Sequence, residues 1–168
     1  GIEYFTSLTR LQCGHNKISK LDVSKNTALT ELYCPNNELT ELDLGNNTAL
    51  GQLTVTNNQL KELDISKDTA LTYLACANNQ LKELNVSKNT ALTELSCSYN
   101  QLTELNVNNN TALTRIDCGS NQLSELDVSK NTALTYLSCG SNEGNKLTKL
   151  DVSNNTEPVS YTHPEPTR

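Results

Sequence analysis

The order of apolar and polar positions along this chain repeats. From Leu8 it reads LTRLQCGHNKISKLDVSKNTA, from Leu29 LTELYCPNNELTELDLGNNTA, from Leu50 LGQLTVTNNQLKELDISKDTA and from Leu71 LTYLACANNQLKELNVSKNTA, with further units opening at Leu92, Leu113 and Leu134. The first six units are 21 residues long, and the seventh carries a three-residue insertion within Glu143-Gly144-Asn145-Lys146 before the pattern resumes at Leu147. Self-similarity at a fixed short period marks a stacked array. Each unit, LxxLxCxxNxLxxLDVSxNTA, divides into two halves in which apolar residues stand two apart, as in Leu-x-Cys and Leu-x-Val. That spacing belongs to short strands, and no segment sustains the 3.6-residue period of a helix over ten residues. Each half is therefore predicted to hold a short strand, with successive units stacking their strands in parallel at about 4.8 Å.

Six positions per unit are predicted to point inward; in the second these are Leu29, Leu32, Cys34, Leu39, Leu42 and Leu44. So few apolar groups cannot order 21 residues alone, and stability has to come from stacking and from hydrogen bonds between neighbours. The fold class is accordingly all-β, a parallel-strand solenoid of seven coils with little or no helix. Residues 1–7 align with the DVSKNTA segment, placing Ile2 at the inward Val position and Phe5 where Asn would stand, and read as the last half-coil of an N-terminal cap. Residues 8–157 form the solenoid. Residues 158–168 open with Pro158, depart from the pattern and are expected to be a disordered tail that does not cap the last coil.

Composition follows from this pattern. The 168 residues include 27 Leu and 23 Asn but one Phe, no Trp and no Met, and only 35% are apolar. The asparagines fall in two series, Asn16, Asn37, Asn58, Asn79, Asn100, Asn121 and Asn142, and Asn26, Asn47, Asn89, Asn110, Asn131 and Asn155. A stacked carboxamide carries both donor and acceptor and can serve backbone groups that a tight corner leaves unpaired; both series read as structural ladders. Asp68 interrupts the second, and because an ionised Asp has no donor, Asp68→Asn is expected to stabilise the array. A net charge of -6 argues against nucleic acid or an anionic membrane as the main partner. No apolar stretch nears the roughly 18 residues of a bilayer span. With no Met, the chain is expected to be a fragment or a processed form.

The repeated unit resembles the short, 21-residue, internalin-like leucine-rich repeats of bacterial surface and secreted proteins, over roughly residues 8–157. That resemblance implies a right-handed, curved parallel-strand solenoid that binds a protein or glycan partner outside the cell or at its surface, monomeric as an isolated fragment. Departures are Val55 in place of Cys, Gly51 in place of Thr, Asp68, and the insertion in the last coil.

Candidate chemistry is sparse. Cys13, Cys34, Cys76, Cys97, Cys118 and Cys139 all hold one inward position, and its missing member is Val55, a residue that only packs. Neighbours one coil apart, at about 4.8 Å, exceed the roughly 3.5–4.5 Å between Cβ atoms that a disulfide prefers, so a buried reduced ladder is expected. Glu41, Glu62, Glu83, Glu104 and Glu125, with Asp22, Asp43, Asp64, Asp127 and Asp151 two residues on, form an outward acidic row that reads as a solvated face rather than a metal site. The histidines, His15 and His163, have no nucleophile at a motif spacing. Neither an enzyme nor a cofactor is expected.

Variation among the copies carries more information. Outward positions of the first half change from coil to coil, as Arg10, Glu31, Gln52, Tyr73, Glu94, Arg115, Tyr136 in one series and Gln12, Tyr33, Thr54, Ala75, Ser96, Asp117, Ser138 in the next; a third contains His15 and Tyr99. The second half is almost constant. A recognition surface has to differ along its length to match a non-repeating partner, and exposed Tyr is favoured at interfaces. The candidate binding residues are therefore Arg10, Gln12, His15, Glu31, Tyr33, Gln52, Tyr73, Glu94, Tyr99, Arg115, Asp117 and Tyr136. A spacer without a ligand is the competing reading, and ice binding by the Thr27, Thr48, Thr69, Thr90, Thr111 and Thr132 series a remote one.

Overall fold

A computed structural model describes residues 1–140, 144–155 and 160–162, the last three by backbone alone. Eight three-residue strands, β1 (Arg10–Gln12), β2 (Glu31–Tyr33), β3 (Gln52–Thr54), β4 (Tyr73–Ala75), β5 (Glu94–Ser96), β6 (Arg115–Asp117), β7 (Tyr136–Ser138) and β8 (Ser160–Thr162), form one sheet in sequence order. Every pairing is parallel, and the first seven strands pair at the 21-residue register, Leu11 opposite Leu32 and Leu32 opposite Leu53. One 3-10 turn, Ile2–Tyr4, is the helical element among the described residues. The protein is a parallel-strand solenoid.

In β1 to β7 the middle residue turns inward, as does the Cys, or in the third coil Val55, that follows. Leu29, Leu32, Cys34, Leu39, Leu42 and Leu44 are all buried, and the same six positions build a continuous core through the inner coils. The end coils close it less completely, with Leu11, Cys13, Ile18 and Leu21 at one end and Leu147, Leu150 and Val152 at the other only partly buried.

Two expectations are corrected. The second half-unit forms no strand among the described residues. There Asp22, Asp43, Asp64, Asp127 and Asp151, with Asn85 and Asn106 in the same place, accept the N–H of the residue two positions on at 2.8–3.0 Å. Such side-chain turns offer the backbone an alternative to a ladder, and a backbone turn follows at once, Asn26 N–H to Val23 O at 2.9 Å. The second correction concerns the tail, where Ser160–Thr162 pairs with β7, Leu137 opposite Tyr161. An edge strand presents unpaired N–H and C=O groups that template another strand, and Val159-Ser160-Tyr161-Thr162 is rich in residues that suit one. The offset from β7 is 24 residues, one repeat plus the insertion. The remaining tail residues lie outside those described.

In the inner coils the first asparagine ladder satisfies both its donors and its acceptor. Asn79 donates through Nδ2 to Val55 O of the preceding coil and Cys76 O of its own, both at 3.0 Å, and accepts the Leu60 N–H at 3.0 Å. Asn37, Asn58, Asn100 and Asn121 repeat these bonds. Asn16, with no solenoid coil before it, bonds only to Cys13 O and Gly14 O. In the seventh coil the rung is Asn145, which donates to Cys118 O and Cys139 O and accepts the Leu123 N–H; Asn142, the residue expected there, lies outside the described residues. In the second ladder Nδ2 reaches back to two carbonyls, as Asn47 does to Val23 O and Asn26 O. Asn26 treats Ile2 O and Phe5 O in the same way, at 3.0 and 2.9 Å, so the first residues of the chain supply the backbone of a preceding half-coil.

All six cysteines are free and stack as a ladder. Five are buried and Cys13 is half-buried. Burial pushes the Cys76 thiol up to about 12 and raises Cys97, Cys118 and Cys139 as well. Cys13 moves the other way, because Cys34 hydrogen-bonds to its sulfur.

Candidate functional site

Successive side chains of a strand point to opposite faces, so with the middle residue of β1 to β7 turned inward, the first and third residues of these strands share the outer face. The parallel register aligns Arg10, Glu31, Gln52, Tyr73, Glu94, Arg115 and Tyr136 in one column and Gln12, Tyr33, Thr54, Ala75, Ser96, Asp117 and Ser138 in the next. Ten of these fourteen are half-buried, Arg10, Gln12 and Arg115 are exposed, and Ala75 alone is buried, so the surface is accessible along most of its length.

Its contacts gather at two ends. On the first coils, Arg10 pairs with Glu31 at 3.1 Å and lies over the Tyr33 ring at 5.4 Å, while the Tyr33 hydroxyl donates to Gln52 Oε1. On the later coils, the Arg115 guanidinium stacks on Tyr136 at 3.6 Å from the ring centre, and the Ser98 hydroxyl donates to Asp117 at 3.4 Å. Arginine held over an aromatic face is a cation–π pair. Both clusters join Arg to Tyr, yet the polar groups around them differ.

The third series has a different origin from the other two. His15, Asn36, Asn57, Asn78, Tyr99 and Ser120 all adopt φ of 52–58°, the left-handed region, at the corner that turns the chain after the Cys. Asn tolerates this conformation better than other side-chain-bearing residues, which explains three consecutive asparagines, and Asn57 Nδ2 donates to Asn36 Oδ1 at 2.8 Å. His15 belongs to this corner, with Asn36 Nδ2 3.4 Å from its Nε2. Tyr99 departs from the trend. It is a bulky ring in a strained slot, 58% exposed.

The constant half presents an open groove of about 1020 Å³ over coils one to four, lined among others by Glu41, Asp43, Lys61, Glu62, Asp64 and Lys82. Its aspartates are spent on their own backbone. Hydrogen bonds from the following serine hydroxyl and N–H hold Asp22 below the ordinary carboxylate value, and those from the serine N–H and hydroxyl do the same for Asp64, Asp127 and Asp151. Among the described residues no cluster of three or more His, Cys, Asp or Glu could hold a metal ion, and no helix is long and apolar enough to cross a membrane.

No protein-family model and no curated protein matches the chain. Solved structures do. The functional domain of InlJ from Listeria monocytogenes, which includes a cysteine ladder, is 36% identical at a TM-score of 0.52. A leucine-rich-repeat protein from Leptospira interrogans is 28% identical at 0.85, and the internalin InlF from Listeria monocytogenes 26% identical at 0.91. Each alignment covers 96% of this chain but only 45%, 45% and 49% of those structures, so the chain spans less than half their length. The class is thus the leucine-rich-repeat solenoid, a scaffold of protein interaction in general. Within that class the chain is an internalin-like protein of the bacterial kind, with a cysteine ladder of its own.

Proposed function

We propose that this chain is a non-catalytic recognition module of a bacterial surface or secreted protein, which binds a protein partner on the outer face of its parallel sheet. One observation carries the reading: the two aligned columns from Arg10 to Tyr136 and from Gln12 to Ser138 change chemistry at every coil, while the Asp turns of the other half recur almost unaltered. A surface under no demand but folding has no reason to vary on one side only. The Arg10–Tyr33 and Arg115–Tyr136 stacks add the residue types that dominate binding energy at interfaces, held in place before any partner arrives, which lowers the ordering cost of association. Internalins among the structural neighbours support a place at or beyond the cell surface.

Alanine at Tyr73 and Tyr136 tests the proposal in the parent protein. A recognition module loses partner binding while its melting temperature changes little; a spacer keeps every activity of the parent, and that result would overturn the reading.

A further inference from the structure

The second asparagine ladder is broken once. At Asn26, Asn47, Asn89, Asn110, Asn131 and Asn155, Nδ2 donates backward to two backbone carbonyls at 2.7–3.3 Å. In the third coil the rung is Asp68, 1% exposed. The repeat register sets its carboxylate against the carbonyls of Leu44 and Asn47, each of which accepts one backbone N–H, from Asn47 and Leu50, and among the described residues no side-chain donor. Oδ1 of Asp68 has no hydrogen-bond partner, but neither has Oδ1 of the asparagine rungs. What sets this rung apart is an oxygen standing where the others place an NH2 group.

An ionised carboxylate is acceptor-only, whereas a protonated one carries an O–H donor. We propose that Asp68 holds a proton and donates it to one of these carbonyls, so that the joint between the second and third coils is closed by acid and loosened as pH rises. The charged groups around it favour this. On its own coil Asp64 opposes ionisation and Lys67 assists it, though Lys67 Nζ also reaches Gly45 O at 3.5 Å. The preceding coil contributes Asp43 to the groove that Asp68 also lines, and the following coil presents the neutral Asn85 there and Asn89, whose Nδ2 donates to the Asp68 carbonyl at 2.9 Å. Burial is the largest influence and, with Asp64, pushes the carboxyl up to about 6 from 3.8. The folded state then binds the proton more tightly than the unfolded one. Stability from this group is present in acid and is lost as pH climbs through about 6.

The joint sits below part of the proposed recognition face, since Tyr33 on the second coil hydrogen-bonds Gln52 on the third. The inference does not depend on that face binding anything.

Unfolding of the wild type and Asp68→Asn, compared by denaturant at pH 8, 5 and 4, tests it. The ratio of their unfolding constants, in favour of Asn, is expected to fall roughly tenfold between pH 8 and 5 and by most of a hundredfold at pH 4. A ratio that does not change with pH overturns the proposal. So does stabilisation of the wild type by calcium at pH 8 that the variant lacks, because a cation would then supply what we assign to the proton. The carboxyl 13C resonance of Asp68 gives a reading that does not rely on unfolding: a midpoint near 6 supports the proposal, and one below about 4.5 overturns it.

Discussion

Tyr99 invites a test that separates folding from binding at one residue. Its φ of 53° belongs to a corner where three of the four preceding coils place asparagine, at Asn36, Asn57 and Asn78. A left-handed backbone costs an ordinary L-residue about 1–2 kcal/mol, and Asn, with its short polar side chain, pays less of it. Replacing Tyr99 by Asn or by Ala removes the same ring, 58% exposed, so the difference between the two variants isolates the backbone term. Tyr99→Asn should be more stable than Tyr99→Ala by about 1 kcal/mol, a melting difference of roughly 2–4 °C in a chain of this size. Thermal unfolding followed by circular dichroism measures it. If Ala equals or exceeds Asn, strain at this corner is not what the φ values indicate. The same pair of variants assayed with the partner of the parent protein should both lose affinity, since neither keeps the ring. A gain in stability on Asn over Ala together with a loss of binding in both would mark Tyr99 as a residue kept for contact at the expense of the fold.

Other expectations follow from the ladders and turns. Asn79→Ala strips a buried corner of its donors to Val55 O and Cys76 O and of the acceptor for Leu60 N–H, and should cost about 3–4 kcal/mol in denaturant unfolding; Asn16→Ala, which removes two bonds at an exposed site, should cost about 1 kcal/mol or less. In native buffer a thiol reagent should modify Cys13 first, while Cys76, Cys97 and Cys118 react only on global unfolding, and fast loss of several thiols would contradict the buried ladder. The Asp turns act on acid stability in the sense opposite to Asp68: carboxyls held below their ordinary values contribute stability above the unfolded pKa that is lost as pH falls. A variant with Asn at Asp22, Asp64, Asp127 and Asp151, the residue already used at Asn85 and Asn106, should lose less stability than the wild type between pH 5 and 3 on acid titration.

The core was legible because a solenoid repeats its inward positions at fixed intervals, and the six residues read for the second coil are the six that bury. The second strand was misread for a physical reason. Leu-x-Cys and Leu-x-Val look alike as apolar spacing, but the latter has Asp or Asn at its middle position in every unit, and that side chain takes the N–H two residues on and turns the backbone onto itself. The columns on β1 to β7 could be traced from spacing alone, whereas His15 and Tyr99 share their series with three asparagines whose presence marks a left-handed corner. Asn142 and Asn145 both stand in the lengthened segment, and counting from the preceding rung picks the first, whereas Asn145 is found serving Cys118 O, Cys139 O and the Leu123 N–H.

That substitution of rung says where this architecture can grow. Asn121 serves a carbonyl 24 residues back and Asn145 one 27 back, each donating twice through Nδ2 and accepting one N–H at Oδ1. What a coil must deliver is a carboxamide at the corner, and the path from Cys to Asn tolerates at least three added residues on the way. Loops added in that interval would leave the ladder unbroken and emerge beside the strand ends, at the edge of the variable face, so a lineage could change the outline of its contact surface without reworking the coils that support it.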